Sequence, residues 1–341
     1  MRCLVVILLF LFIGKSALFC QNDFRIMFYN VENLFDTKDD SLKNDDDFLP
    51  DGYMRWTPWK YREKLRNITR VITALGGMRS PALVGLCEVE NDSVLYDLTK
   101  RSPLRVQEYE YIITRSPDER GIDVALLYQR DQFRLLDTTE YEIKLSGRRR
   151  RATRNLLHVV GEIISGDTLD LFLCHFPSRS DGKRVSERSR IEAAALLRSK
   201  TDSLLMRREN ANIIIMGDFN DHPDNKSLRR TLNAGSIQSR LRSDELYNLF
   251  YHSAREGEYG TYKYQGKWEV LDQFIVTGNL LMEKSPVQVK EKKAHIFRTA
   301  FLLEEDKRYF GKKPYRTNTG PRYLGGFSDH LPIYMDLLIR N

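Results

Sequence analysis

The sequence predicts a layered α/β or α+β domain. Short β-rich apolar runs recur along the chain with helical stretches between them, which is the pattern of stacked sheets and helices. Several of these runs are apolar at nearly every position, which suits strands covered on both faces. No internal repeat and no Pro-rich or Gly/Ser-rich linker divides the 341 residues. One large domain over residues 21–341 is therefore preferred to two ordinary ones.

In chain order, residues 1–20 come first. Arg2 precedes an apolar run at 4–13, and the small residues Gly14, Ser16 and Ala17 follow, which is the layout of a secretory signal peptide. That run is ten residues long, against the roughly 20 needed to span a bilayer, so no stable membrane span is expected. Export to the periplasm or the extracellular space follows. Cleavage after Cys20 would leave Gln21 at the terminus, and Phe19 argues against lipoprotein anchoring through Cys20, which needs a small residue there.

Strands are expected at residues 24–29, 83–87, 122–128, 156–164, 169–176, 212–216, 271–276 and 333–338. Helices are expected at 59–75 and 185–208; in the first, Leu65, Ile68, Val71, Ile72 and Leu75 recur at three- and four-residue spacing. Residues 36–51 form an acidic loop without calcium-loop spacing, read as a solvated insertion. Arg148, Arg149, Arg150 and Arg151 form a basic run joined by Arg154, and residues 283–322 carry eleven Lys or Arg against five acids. Both are expected near an anionic ligand or simply in solvent.

Composition narrows the class of protein. Hydrophobic residues make up 41% and charged residues 30%, enough for a sizeable core and against disorder. Loss of residues 1–20 removes Arg2 and Lys15 and takes the formal charge from +7 to +5. That is too small to name a partner by itself. Cys87 and Cys174 would remain, without the spacing of a zinc site, and are read as buried thiols with a single bridge between them left open.

The polar residues of interest stand at the ends of apolar runs, where a strand delivers a side chain to a sheet rim. These are Asn30 and Glu32 in N-V-E, Glu88 in G-L-C-E, His175 in H-F-P-S, Asp218 and Asn220 in G-D-F-N, Asp272 in L-D-Q-F, and Asp329 and His330 in S-D-H. A carboxylate after a buried strand needs exposure, a partner or a metal, and an imidazole at a strand mouth suits acid or base work. In this order, the six motifs resemble the endonuclease/exonuclease/phosphatase superfamily, whose members include deoxyribonuclease I, abasic-site endonucleases, neutral sphingomyelinases and inositol polyphosphate 5-phosphatases. The likeness spans residues 24–338, and the segment 35–65 with the R-Y-L-G-G-F-S-D-H ending resembles the bacterial secreted branch.

The resemblance implies a four-layer α/β sandwich, with two face-to-face mixed β-sheets flanked by helices and a phosphoesterase site at the sheet ends. It implies Mg²⁺, with Mn²⁺ or Ca²⁺ as alternatives, held chiefly by Glu88 with Asn30, Glu32 and Asp329 beside it. Asp218 resembles the group that orients or deprotonates water, and Asn220 its partner. His330, held by Asp272, resembles the histidine that contacts the scissile phosphate, and His175 a second such histidine. Arg148, Arg149, Arg150 and Arg151 are expected to bind a polyanion.

The leading expectation is an exported, monomeric, Mg²⁺-dependent phosphodiesterase, a nuclease acting on DNA or RNA. Alternatives are a phosphatase or phospholipase-type hydrolase of inositol phosphates or sphingomyelin-like lipids, or a silent binding protein on the same scaffold. V-L-D-Q-F in place of R-I-D-Y, together with export, argues against DNA repair. The nearest candidate for a membrane-inserting hairpin, residues 293–303, is mixed with charge and reads equally as a packed strand or helix.

Overall fold

The computed structural model describes residues 23–146, 152–180, 182–237, 240–252 and 259–340. The leader-like residues 1–20 and Arg148, Arg149, Arg150 and Arg151 lie outside the described residues.

The first half of the chain runs β1 (Asp23–Leu34), α1 (Pro58–Gly76), β2 (Leu83–Val89), α2 (Asp92–Tyr96), β3 (Glu110–Ile113), β4 (Asp123–Tyr128), β5 (Phe133–Tyr141), β6 (Leu156–Ile163) and β7 (Thr168–His175). Then follow α3 (Lys183–Arg207), β8 (Ile213–Asp218), β9 (Ala234–Gly235), β10 (Leu246–Asn248), β11 (Tyr262–Tyr264), β12 (Lys267–Glu269) and β13 (Asp272–Thr277). The C-terminal part holds β14 (Val287–Val289), β15 (His295–Ile296), β16 (Leu303–Glu305), β17 (Lys312–Pro314), β18 (Asn318–Thr319), β19 (Arg322–Tyr323) and β20 (Ile333–Ile339).

Two seven-stranded sheets result. One has the order β14-β20-β1-β2-β4-β3 with β15 beside β20, and the other β5-β6-β7-β8-β13-β10-β9. Each is mixed, since β1 pairs β2 and β7 pairs β8 in parallel while most neighbours are antiparallel. Alternate side chains of a strand point to opposite faces, and the clusters divide accordingly. Ile26, Phe28, Leu126, Leu171, Leu173, Ile214, Met216, Phe274 and Met335 share one core between the sheets. Met27, Val84 and Leu86 pack outward on Leu65, Ile68 and Ile72 of α1. Phe172, Ile213 and Ile215 pack outward on Ala193, Ala194 and Leu197 of α3. This is the four-layer α/β sandwich.

Helix α1 begins where Thr57 accepts a hydrogen bond from the Lys60 N–H and Pro58 supplies a preset φ. Gly217 precedes Asp218 because β8 lies hard against β7, and a Cβ at that position would sit 2.2 Å from the Cys174 carbonyl oxygen. Cys87 and Cys174 are buried and free. The acidic loop is anchored rather than wholly solvated: Phe48 stacks on Phe35 at 4.3 Å, and buried Asp45 accepts from the Asp40 N–H. Residues 293–303 form β15 and a one-turn helix at Ala300–Leu302, packed rather than projecting. No helix among the described residues is long and apolar enough to cross a membrane.

Candidate active site

Register alone assembles one row of the site. His175 ends β7 opposite Asp218 at the end of β8, and Asp218 lies opposite Asp272 at the start of β13. Neighbouring strands are about 4.8 Å apart, so three ionisable side chains stand side by side on one rim. The facing sheet supplies Asn30 within β1 and Glu88 near the end of β2. The β1–β2 register breaks after Asn30 and Cys87. There Glu32, Asn33 and Glu88 adopt φ of 51°, 56° and 63°, and Asn220, just past β8, has φ 50°. Left-handed backbone at non-glycine residues costs energy and concentrates at functional sites.

The side chains converge. Asn30 Nδ2 donates to Asp218 Oδ2 at 3.1 Å and to Glu88 Oε1 at 3.3 Å, and the Asn33 N–H donates to Glu88 Oε2 at 2.9 Å. His175 Nε2 lies 3.7 Å from Asp218 Oδ2 and 3.9 Å from Glu88 Oε1. His330 binds Asp272 Oδ2 through Nδ1 at 2.7 Å and leaves Nε2 3.9 Å from Asp218 Oδ2. The Tyr262 ring lies 4.9 Å from the His330 ring. Asn220 serves Asp218 through its backbone, whose N–H donates to Asp218 Oδ1 at 2.9 Å, while its side-chain amide donates to the Phe176 carbonyl.

Burial sets the electrostatics. It pushes Asp218 up to about 6, opposed by His330 and reinforced by Asp272. Burial also drives His175 well below its ordinary range, with help from Arg154 and Arg120, so that imidazole is neutral. Burial alone would depress His330 too, but the facing carboxylates of Asp272 and Asp218 outweigh it and raise the imidazole well above its usual value.

Oxygens of Asp218 and Asp272 and a ring nitrogen of His330 lie within 4.8 Å of one another, close enough to share a divalent ion. The donors fit a hard cation: carboxylates predominate, and Asp272 Oδ1 and His175 Nδ1 are buried without a hydrogen-bond partner. No Lys or Arg ion pair is formed by Glu88 among the described residues.

Of the nine motif residues, Asn30, Glu88, His175, Asp218, Asp272 and His330 line this basin, with Asn220 behind it. Glu32 and Asp329 take a different place, on either side of Arg316. The guanidinium pairs with Glu32 Oε1 at 2.9 Å and with Asp329 Oδ2 at 3.1 Å. The Thr317 N–H occupies Glu32 Oε2 at 2.7 Å. Sequence reasoning missed Arg316, one cation among the eleven of residues 283–322, and buried Lys64, which donates to Thr317 Oγ1 and the Phe327 carbonyl. It also missed Arg179, whose Nη1 pairs with Glu269 at 2.9 Å and whose Nε donates to the Asn220 carbonyl.

The sequence profile of the Endonuclease/Exonuclease/phosphatase family matches residues 25–338. No curated protein matches the chain. Among solved structures, similarity is found to an endonuclease/exonuclease/phosphatase family protein from Bacteroides thetaiotaomicron, at 17% identity and TM-score 0.55, covering 93% of this chain and 95% of that one. A mannosyl-6-phosphatase from the same organism is similar at 16% identity and TM-score 0.55, covering 92% and 99%. TDP2 from D. rerio, complexed with a single-strand DNA product, is similar at 15% identity and TM-score 0.56, covering 93% and 99%. At these identities the structures share the fold, and their substrates remain their own. With a profile match over nearly the whole described chain and an acidic and histidine cluster suited to a divalent ion, this is the scaffold and site of a metal-dependent phosphoesterase, and the chain belongs to the endonuclease/exonuclease/phosphatase family.

Proposed function

We propose that the chain is an exported Mg²⁺-dependent phosphodiesterase that cleaves nucleic acid. The observation that carries the phosphodiester chemistry is the facing arrangement of an Asp272-held His330, a buried Asp218 and a Glu88 free of Lys or Arg partners. In this reading Glu88 holds the metal, and Asn30 positions Glu88, its amide N–H groups donating to Glu88 and Asp218 while its Oδ1 accepts from the Glu32 N–H. His330 is poorly suited to ligate, because the Asp272 and Asp218 carboxylates favour its protonated form, which has no free lone pair. When bound there, a divalent ion offsets charge on the phosphoryl oxygens.

The protein's own groups account for the rest. Asp218 has both oxygens oriented, one by the Asn220 N–H and one by the Asn30 amide. With a pKa near 6 it is mostly ionised at neutral pH yet basic enough to take the proton of an attacking water. His330 presents Nε2 as a donor to a phosphoryl oxygen, where charge grows in the transition state. Neutral His175 adds a second donor from the opposite side.

Nucleic acid is favoured among substrates by the basic run at Arg148, Arg149, Arg150 and Arg151 and by exposed Tyr264, Tyr309 and Phe310 among lysines and arginines, since bases stack on aromatic rings while cations follow the backbone. A phosphatase acting on a smaller compound is the second reading. It is favoured by a cavity of about 280 Å³ beside Asp329, Tyr262 and Arg316. Export rests on the leader-like residues 1–20.

The test is hydrolysis of plasmid DNA, RNA, sphingomyelin, inositol phosphates, sugar phosphates and a bis-aryl phosphodiester, with Mg²⁺ or chelator. Chelator-sensitive turnover of nucleic acid is expected. Glu88→Gln should lower it by several orders of magnitude with the melting temperature kept, because the substitution preserves shape and removes an anionic ligand. Full activity of Glu88→Gln with unchanged Mg²⁺ dependence would remove the metal assignment.

A further inference from the structure

We propose that Arg316 occupies, as a fixed cation, the place between Glu32 and Asp329, so that this chain binds one divalent ion, at Glu88, rather than two. The inference rests on the metal-centre reading above and divides its carboxylates into two groups.

The first group is already neutralised. Glu32 and Asp329 share the Arg316 guanidinium at 2.9 and 3.1 Å, and Arg316 Nε adds a second bond to Glu32 Oε1 at 3.0 Å. The second oxygen of Glu32 is taken by the Thr317 N–H. Buried Lys64 lies close enough to feel Glu32 and Asp329 first and Glu88 after them, and burial pushes it down to about 8. Two carboxylates therefore share one guanidinium, with the Lys64 ammonium behind the segment that carries it. A divalent ion entering there would have to expel a guanidinium that makes two charge-assisted bonds to Glu32, itself buried, and one to half-buried Asp329.

Arg316 is also held in place by the backbone around it. A Cβ on Gly326 would sit 2.2 Å from the Tyr315 carbonyl oxygen and 2.4 Å from that of Arg316, so the S-D-H loop packs directly on this segment. The Phe327 N–H donates to the Tyr315 carbonyl, and the Leu324 N–H to that of Thr317. Lys64 ties Thr317 to Phe327 from below. The guanidinium thus comes from a register-locked loop, unlike a surface arginine that swings into an available gap.

The second group lacks such an ion pair. Among the described residues Glu88 receives the Asn30 amide and the Asn33 N–H and pairs with no Lys or Arg, while the His175 ring nitrogen stands 3.9 Å away. This is where a hard divalent ion is needed.

The experiment counts Mn²⁺ ions bound per chain, by calorimetry and by the loss of the free-Mn²⁺ paramagnetic resonance signal, without any substrate. One ion is expected for the native protein. Glu88→Gln should weaken it more than about tenfold, and Glu32→Gln should change its affinity less than about twofold. Arg316→Gln should bind a second ion, because Glu32 and Asp329 are then left facing each other. Two ions of comparable affinity in the native protein would overturn the proposal. So would equal losses in Glu32→Gln and Glu88→Gln, an outcome that stands even if Arg316→Gln does not fold, or a folded Arg316→Gln that still binds one. Absence of any bound Mn²⁺ in the native protein would instead sink the metal-centre reading together with this one.

Discussion

Asp272 and His330 act through one hydrogen bond, so their losses should not multiply. Asp272→Asn should forfeit much of what His330→Ala forfeits, and the double variant should be little worse than His330→Ala alone. The pH profile supplies a second readout. Catalysis that uses the His330 imidazolium is complete at neutral pH and declines as pH rises through the imidazole's elevated value. Removing the Asp272 charge moves that decline to lower pH. Multiplicative losses with an unshifted alkaline limb would make Asp272 a structural acid. At this scale the sequence was informative wherever chemistry sits at the end of an apolar run: Glu88, His175, Asp218 and Asp272 each follow or begin a buried strand, and strand ends are where the two sheets open. Arg316 carried no such mark. Its importance depends on how the loop around Thr317 lies against Glu32, which neither spacing nor composition encodes.

The β11–β12 hairpin is tied to the loops after β7 and β8 by Glu269, which meets Arg179 of the first at 2.9 Å and His222 of the second at 3.2 Å. The His222 hydrogen bond, with burial opposing and Arg179 assisting, brings the Glu269 carboxyl down to about 2 from an ordinary 4.5. A carboxylate depressed on folding stabilises the native state above its unfolded value, and that contribution disappears as pH falls toward the folded one. Thermal melts should therefore show Glu269→Gln less stable than the native protein at pH 7, with the gap closing between about pH 4.5 and pH 2. A gap independent of pH would mean that packing, and not charge, is what Glu269 provides. The expected strands and both long helices are present within a few residues, because a strand covered on both faces is a continuous apolar run. β5 escaped notice since half of its residues face solvent at a sheet edge, and the ribbons β11–β12 and β16–β17 are short and polar. The extension of β1 to Leu34 was hidden by the polar residues that the site requires there.

For the whole molecule, the open matter is how a long polyanion would be held. If Arg148, Arg149, Arg150 and Arg151 grip nucleic acid beyond the scissile bond, replacing all four by Ser should raise KM for long substrates and flatten their salt dependence, since fewer counterions are released on binding. Turnover of a bis-aryl phosphodiester should change less than about twofold. Equal loss on both substrates would assign the run to folding, and no change on nucleic acid at any salt would withdraw the main support for a nuclease over a smaller-substrate phosphatase.

Neither sheet owns the catalytic machinery. Asn30 and Glu88 belong to one, His175, Asp218 and Asp272 to the other, and the 3.1 Å bond from Asn30 to Asp218 crosses the seam between them. A chain with only one sheet formed, or with both formed but undocked, has the proposed ligand without the proposed base, or the reverse. On that reading hydrolysis would begin only once the interior between the sheets has closed. If the chain is exported as proposed and folds only afterwards, the docking of the two sheets would keep the site unassembled until then.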